Sequence, residues 1–225
     1  MHTFWPETVT ADQYPLCMAT VRPTKLAGFV ALVALVALVG CVPAPTRMVV
    51  VGDSHASASV SGSWPQAIDC MDVDNRSISG AGLGTAVYFP ALVDRLDVAL
   101  DGVGPGDLVM VALGANDFGA RTVAQMKADK ATVDAAVADR GAQARWATTP
   151  PISPAHPYRW YQPWFSTMIA HHDEWNAFIR RGGGADIYLP LGSSLDAAED
   201  RGDHVHLSSA AHYVTSLKAK ELLCK

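Results

Sequence analysis

Residues 48–55 read Met48-Val49-Val50-Val51-Gly52-Asp53-Ser54-His55: a β-branched run that stops at a glycine and gives way to polar side chains. A short, continuous apolar run of this kind is the signature of a strand buried on both faces. Leu108 to Leu113 (LVMVAL), preceded by the turn residues Gly104 to Asp107, reads the same way and ends at Gly114. Ala144–Thr148, Asp186–Leu189 and Asp74–Ser79 are weaker strand candidates. Between them lie segments with helical spacing: Pro90–Leu100, Thr122–Arg140, Trp164–Arg181 ahead of three glycines, and Ser208–Cys224 with Ser208 as N-cap. Strand and helix alternate, so the expected class is α/β, with a parallel sheet covered on both faces. Ligands of such sheets bind beyond the carboxyl ends of the strands. The chemistry is therefore expected just after MVVV and just after LVMVAL.

Working outward, the 225 residues suffice for one domain with a substantial core. The formal net charge is −5 and charged residues make up 17%, which excludes the basic footprint of a nucleic-acid binder. The apolar content of 49% is inflated by Leu26–Val39, fourteen residues without a charge. That run is shorter than the roughly twenty residues of a membrane span and suits the apolar region of a signal peptide, with Arg22 and Lys25 as its positive flank. Leu38-Val39-Gly40-Cys41 resembles the lipobox of bacterial lipoproteins, which implies a lipid-modified Cys41 and attachment to a membrane surface. An ordinary secretory signal and a single spanning anchor are the other two readings, and all three place the remainder outside the cytoplasm. The expected division is 1–40 as N-terminal extension and signal peptide, 41–47 as linker and 48–225 as the domain. Residues 1–17 are neither basic nor apolar, so translation is expected to begin at Met18. With Cys17 ahead of the signal and Cys41 at its end, Cys70 and Cys224 are the pair left in the domain, as a disulfide or as two thiols.

Three fragments carry chemistry. Ser54, just past the first strand, needs a base to become a nucleophile at neutral pH. Asn116, in Gly114-Ala115-Asn116-Asp117, offers a side-chain N–H to a developing oxyanion. Asp203 and His206, three residues apart before the last helix, can pair so that the imidazole turns its second nitrogen to the serine. Each fragment is common alone. In this order and at these strand ends they form a constellation.

Taken together the residues resemble the SGNH hydrolase family, also called GDSL-like esterases and lipases. Gly52-Asp53-Ser54 is similar to the first family block, Asn75 to Gly80 to the second, Gly114 to Asp117 to the third and Asp203 to His206 to the last, spanning residues 48 to about 223. The resemblance implies a three-layer α/β/α, flavodoxin-like sandwich. It also implies a Ser54–His206–Asp203 triad and an oxyanion hole made by the N–H groups of Ser54 and Gly80 and the Asn116 amide. No metal or cofactor is implied. His55-Ala56 departs from the family's usual leucine after the serine, and GDSHA is similar to domains attached to polysaccharide O-acyltransferases.

The expected function is an exported esterase acting through an acyl-enzyme on an ester-bearing small molecule, lipid or glycan. An O-acyltransferase on cell-surface polysaccharide and a non-catalytic surface lipoprotein are the alternatives. Asp53 and Asp117 are expected to satisfy backbone N–H groups in their own turns, His171-His172-Asp173 to sit on a solvated helix face, and His212 to be structural. His55 is a weaker candidate than His206 for the base, and His204 lacks the matching offset. The proline-rich stretch Pro150–Phe165 carries Tyr158, Trp160, Tyr161, Trp164 and Phe165 as a candidate acyl or sugar platform, with Tyr158, Trp160 and Tyr161 as the candidate substrate contacts, or else these aromatics pin a surface loop.

Overall fold

The computed structural model describes residue 45 and residues 47–86, 88–157, 159–161, 163–192 and 200–225. These lie within one unit, Pro43–Lys225. The signal-peptide segment, the start at Met18, Cys41 and Tyr158 lie outside the described residues.

Among the described residues four strands, β1 (Arg47–Gly52), β2 (Asp72–Asn75), β3 (Asp107–Ala112) and β4 (Gln143–Trp146), form one parallel sheet in the order β2-β1-β3-β4. The period of two along a strand divides its side chains between two cores. Val49, Val51, Val109 and Val111 join Val123, Met126, Val133 and Val137 of one helix and Met168, Trp175 and Ile179 of another. Met48, Val50, Leu108 and Met110 face the opposite way, onto Trp64, Leu191, Ala211, Ala219 and Leu223. Past Arg47 and Asp107, which open them, β1 and β3 are buried on both faces and have no polar position to alternate, which is why they read as unbroken apolar runs.

Among the described residues four α-helices occur, in chain order α1 (Leu96–Ala99), α2 (Val123–Ala138), α3 (Trp164–Arg181) and α4 (Ser209–Leu223). α2 and α3 cover one face and α4 the other, which makes three layers. Thr122 and Gln125 close a reciprocal capping box on α2, and the Ser208 hydroxyl accepts from the Ala211 N–H at the start of α4. The Cys70 and Cys224 sulfurs are bonded, with Cα atoms 5.6 Å apart, tying the end of α4 to the segment that enters β2.

Three elements differ from the sequence expectation. Pro90–Leu100 is not one helix but a 3-10 turn over Leu92–Asp94 followed by the single turn α1, because the N–H groups of Leu92 and Val93 donate to the carbonyls of Gly82 and Leu83 instead of entering a helix. The strand expected at Asp74–Ser79 ends at Asn75, whose side-chain oxygen accepts from the Ser77 N–H and turns the chain. The strand expected at Asp186–Leu189 is reduced to a parallel bridge between Ala185 and Ala147, after which Pro190, lacking an N–H, sits in a 3-10 turn.

The sheet order positions the site. The chain moves from β1 outward to β2, then crosses to the other side of β1 for β3. The loops leaving β1 and β3 therefore diverge and open a crevice at the carboxyl ends of two adjacent strands. Ser54 and Asn116 lie on those two loops.

Candidate active site

β1 ends at Gly52, where a side chain has no room: a Cβ would lie 2.7 Å from the Ala56 Cβ and 2.9 Å from the Ser77 hydroxyl. This close approach bends the chain back after Asp53, whose buried carboxylate accepts the His55 N–H at 3.0 Å. Burial is the main reason that the Asp53 carboxyl is pushed up to about 7. Ser54 stands at the mouth of the turn.

His206 comes from the loop ahead of α4. Its Nε2 lies 2.9 Å from the Ser54 hydroxyl oxygen, and its Nδ1 lies 2.9 Å from one Asp203 oxygen. A carboxylate only accepts, so Nδ1 carries the proton and the Ser54 hydroxyl donates to Nε2. The other Asp203 oxygen accepts the N–H groups of Val205 (3.0 Å) and His206 (2.8 Å), and Arg201 reaches the carboxylate at 2.8 Å. Burial disfavours ionisation of Asp203, but the N–H and ring of His206 and the N–H of Val205 outweigh it and hold the carboxyl well below the usual range. His55 does not take this place. It is buried, its ring centroid lies 5.5 Å from that of His206, and burial pushes its imidazole down to about 3.

Ser54, Gly80 and Asn116 line one cleft of about 1130 Å³. Gly80 has φ +78°, a conformation suited to glycine. Among the described residues neither its N–H nor that of Ser54 has a hydrogen-bond partner. The Asn116 amide donates one hydrogen to the Ala81 carbonyl at 2.8 Å, which braces the Gly80 loop and leaves its second hydrogen available.

The structure corrects several expectations. Asp117 does not serve its own turn. Its two oxygens accept the N–H groups of Leu83 (2.8 Å) and Gly84 (3.0 Å), fastening the Gly80–Gly84 loop to the end of β3. His172 is not solvated: it is buried, with Nε2 3.0 Å from the Pro150 carbonyl, and so holds one wall of the cleft. Trp160 does not line the cleft. It is exposed, with the Arg159 guanidinium 4.5 Å from its ring, whereas Tyr161 does line it. Trp164, another aromatic of the Pro150–Phe165 stretch, lines it as well. Sequence reasoning missed Phe118, Ile152 and Met168 on the apolar wall, and His156, Arg201 and His204 among the polar lining. Among the described residues no three His, Cys, Asp or Glu side chains group as metal ligands would.

His204 is the one described non-glycine residue in the left-handed region, with φ +63°. That conformation costs an L-residue about 1–2 kcal/mol. Asp200 holds it there, accepting the His204 N–H at 2.9 Å and the ring Nδ1 at 2.6 Å.

No family model and no curated protein matches the chain. Solved structures do. A GDSL-like lipase from Bacteroides thetaiotaomicron superposes with a TM-score of 0.60 at 15% identity, over 80% of this chain and 88% of that one. Est24, a carbohydrate acetylesterase from Sinorhizobium meliloti, gives 0.56 at 17%, over 78% and 97%. The psychrotrophic esterase EstA from Pseudoalteromonas sp. gives 0.56 at 17%, over 78% and 95%. Identities this low speak to architecture, and the architecture of this chain is that of the SGNH, or GDSL-like, hydrolases.

Proposed function

We propose that this chain is an exported serine esterase that hydrolyses carboxylic esters through a Ser54–His206–Asp203 triad. The observation that carries the reading is the unbroken relay from Asp203 through His206 to the Ser54 hydroxyl, two contacts of 2.9 Å each. Ser54 Oγ attacks the ester carbonyl carbon as its proton passes to His206 Nε2, and Asp203 stabilises the imidazolium that forms. The N–H groups of Ser54 and Gly80 and the second Asn116 amide hydrogen stabilise the oxyanion. Collapse breaks the bond to the alcohol oxygen, which leaves with the proton from His206, and the acyl group remains on Ser54. Water then attacks, giving its proton to His206, and the acid departs as the proton returns to Ser54.

Phe118, Ile152, Met168 and Trp164 supply an apolar wall suited to a short acyl chain, on a glycan or a small lipid. The neighbours with carbohydrate acetylesterase and lipase activity in their names favour the same range. Export is supported by the charged flank and apolar run ahead of Cys41, and by a disulfide, which persists in oxidising compartments. Cys41 is the proposed lipid anchor.

The test is release of p-nitrophenol from p-nitrophenyl acetate by the purified protein and by Ser54→Ala, with and without sugar acceptors. Turnover that vanishes in the variant supports the esterase. Acyl product on the sugar at the expense of acetate would make the chain an O-acyltransferase, and no Ser54-dependent turnover would leave a surface lipoprotein without this chemistry.

A further inference from the structure

The loop that carries Asp203 and His206 holds a second carboxylate–imidazole pair that the reaction above does not use. Asp200, whose side chain is only 5% exposed, takes four contacts: the Gly202 N–H (2.7 Å) and His204 N–H (2.9 Å) on one oxygen, the His204 Nδ1 (2.6 Å) and Ser153 hydroxyl (3.3 Å) on the other. A turn alone would be made more easily with glycine or asparagine at 204, yet a histidine is held at φ +63°. Strained residues persist where surrounding contacts over-determine them, and they concentrate at binding and catalytic sites. The clamp has a chemical consequence. Facing a carboxylate, Nδ1 carries the proton, so in the neutral ring Nε2 is a fixed acceptor. The ring is half exposed and lines the Ser54 cleft, and among the described residues its Nε2 has no hydrogen-bond partner. It stands two residues from His206, whose own Nε2 is committed to Ser54.

We infer that His204, oriented by Asp200, accepts a hydrogen bond from a free hydroxyl on the alcohol half of the substrate, so that esters of polyols such as glycerol or a sugar are preferred over esters of simple alcohols. The assignment to the alcohol half follows from chemistry. Phe118, Ile152 and Met168 offer an acyl chain nothing but apolar contact, whereas His204 and Ser153 meet at one buried carboxylate and form a polar edge. The inference rests on the serine-esterase reading and deepens it.

The test compares acetate release from glycerol monoacetate and from ethyl acetate, which share an acyl group, by the purified protein and by His204→Asn. Asparagine tolerates the left-handed backbone and can donate its amide to Asp200, but has nothing in place of Nε2. The wild type is expected to favour glycerol monoacetate. In the variant that kcat/KM ratio is expected to fall about tenfold, mainly through KM, as loss of one hydrogen bond implies. A wild type with no preference overturns the inference without reference to any variant. An unchanged ratio in His204→Asn, or equal loss on both esters, overturns it by showing the pair to be a clasp for the loop. Turnover of neither ester by the wild type removes the esterase reading and this subsite with it, an outcome distinct from a merely unchanged ratio.

Discussion

Asp53 and His55 flank Ser54, both are buried, and burial drives them in opposite directions. The Asp53 carboxyl is pushed up to about 7, with Asp117 adding to the effect, while the His55 imidazole is pushed down to about 3, with His206 and His212 adding. In the folded protein near pH 5.5, therefore, Asp53 holds a proton that an unfolded chain has lost, and His55 lacks one that an unfolded chain has gained. The stability linked to Asp53 is full below its unfolded pKa of about 4 and is lost as pH rises to about 7. That linked to His55 is full above about 6.5 and is lost as pH falls to about 3. Each contributes a slope of about 1.4 kcal/mol per pH unit, with opposite sign, so between about pH 4.5 and 6.5 they cancel.

Asp53→Asn removes only the falling slope. The Asn side-chain oxygen can still accept the His55 N–H, so the turn is retained. The stability difference between variant and wild type is expected to move in favour of the variant by about 3 kcal/mol from about pH 4.5 to about pH 7, and to level off above. Taking the difference removes the other titrating groups, including the depressed His156 and His212, because they are common to both proteins. Urea unfolding at intervals across this range measures it directly, from midpoints at constant m-value. A difference that stays flat, or that turns against the variant as pH rises, would refute the reasoning.

Three further outcomes follow. Asp203→Asn, which disturbs the 2.9 Å contact that fixes the His206 tautomer, is expected to lower kcat on p-nitrophenyl acetate on the order of 10³–10⁴-fold with little change in folding. Asn116→Ala is expected to lower kcat on the order of 10²–10³-fold with a smaller change in KM, as loss of an oxyanion donor does; an effect confined to KM would remove Asn116 from that role. Cys70→Ser, opening a cross-link between residues 154 apart, is expected to reduce stability by about 3–5 kcal/mol in urea, and a reducing agent should reproduce the loss in the wild type but not in the variant.

The elements legible in the sequence are those whose residues interact locally or repeat periodically. Past their opening residues Arg47 and Asp107, β1 and β3 are buried on both faces, so every further position is apolar and the runs are unmistakable. α2, α3 and α4 end where caps or glycines end them. Pro90–Leu100 misled because its apolar spacing is real while its N–H groups bond to Gly82 and Leu83, a long-range competition that no window along the chain contains. Likewise Asp186–Leu189 has a strand's composition, but Asp186 is drawn into contacts with Thr148 and Arg180.

The site divides along the same line. Ser54, Asn116 and the Asp203–His206 pair were legible because the proposed reaction dictates their chemistry, and, for Ser54 and Asn116, their places at strand ends. The residues that hold them were not. Asp117 grips backbone N–H groups 33 and 34 residues away, and His172 grips a carbonyl 22 residues away. Backbone groups are the same at every residue, so a side chain that binds them leaves no matching partner type in the sequence. Asp200 and His204 lie within four residues of each other, yet their pairing depends on a left-handed backbone at 204 that a histidine gives no reason to expect. In the proposed site the reacting groups are thus written in residue types, while the groups that orient them are written in backbone geometry.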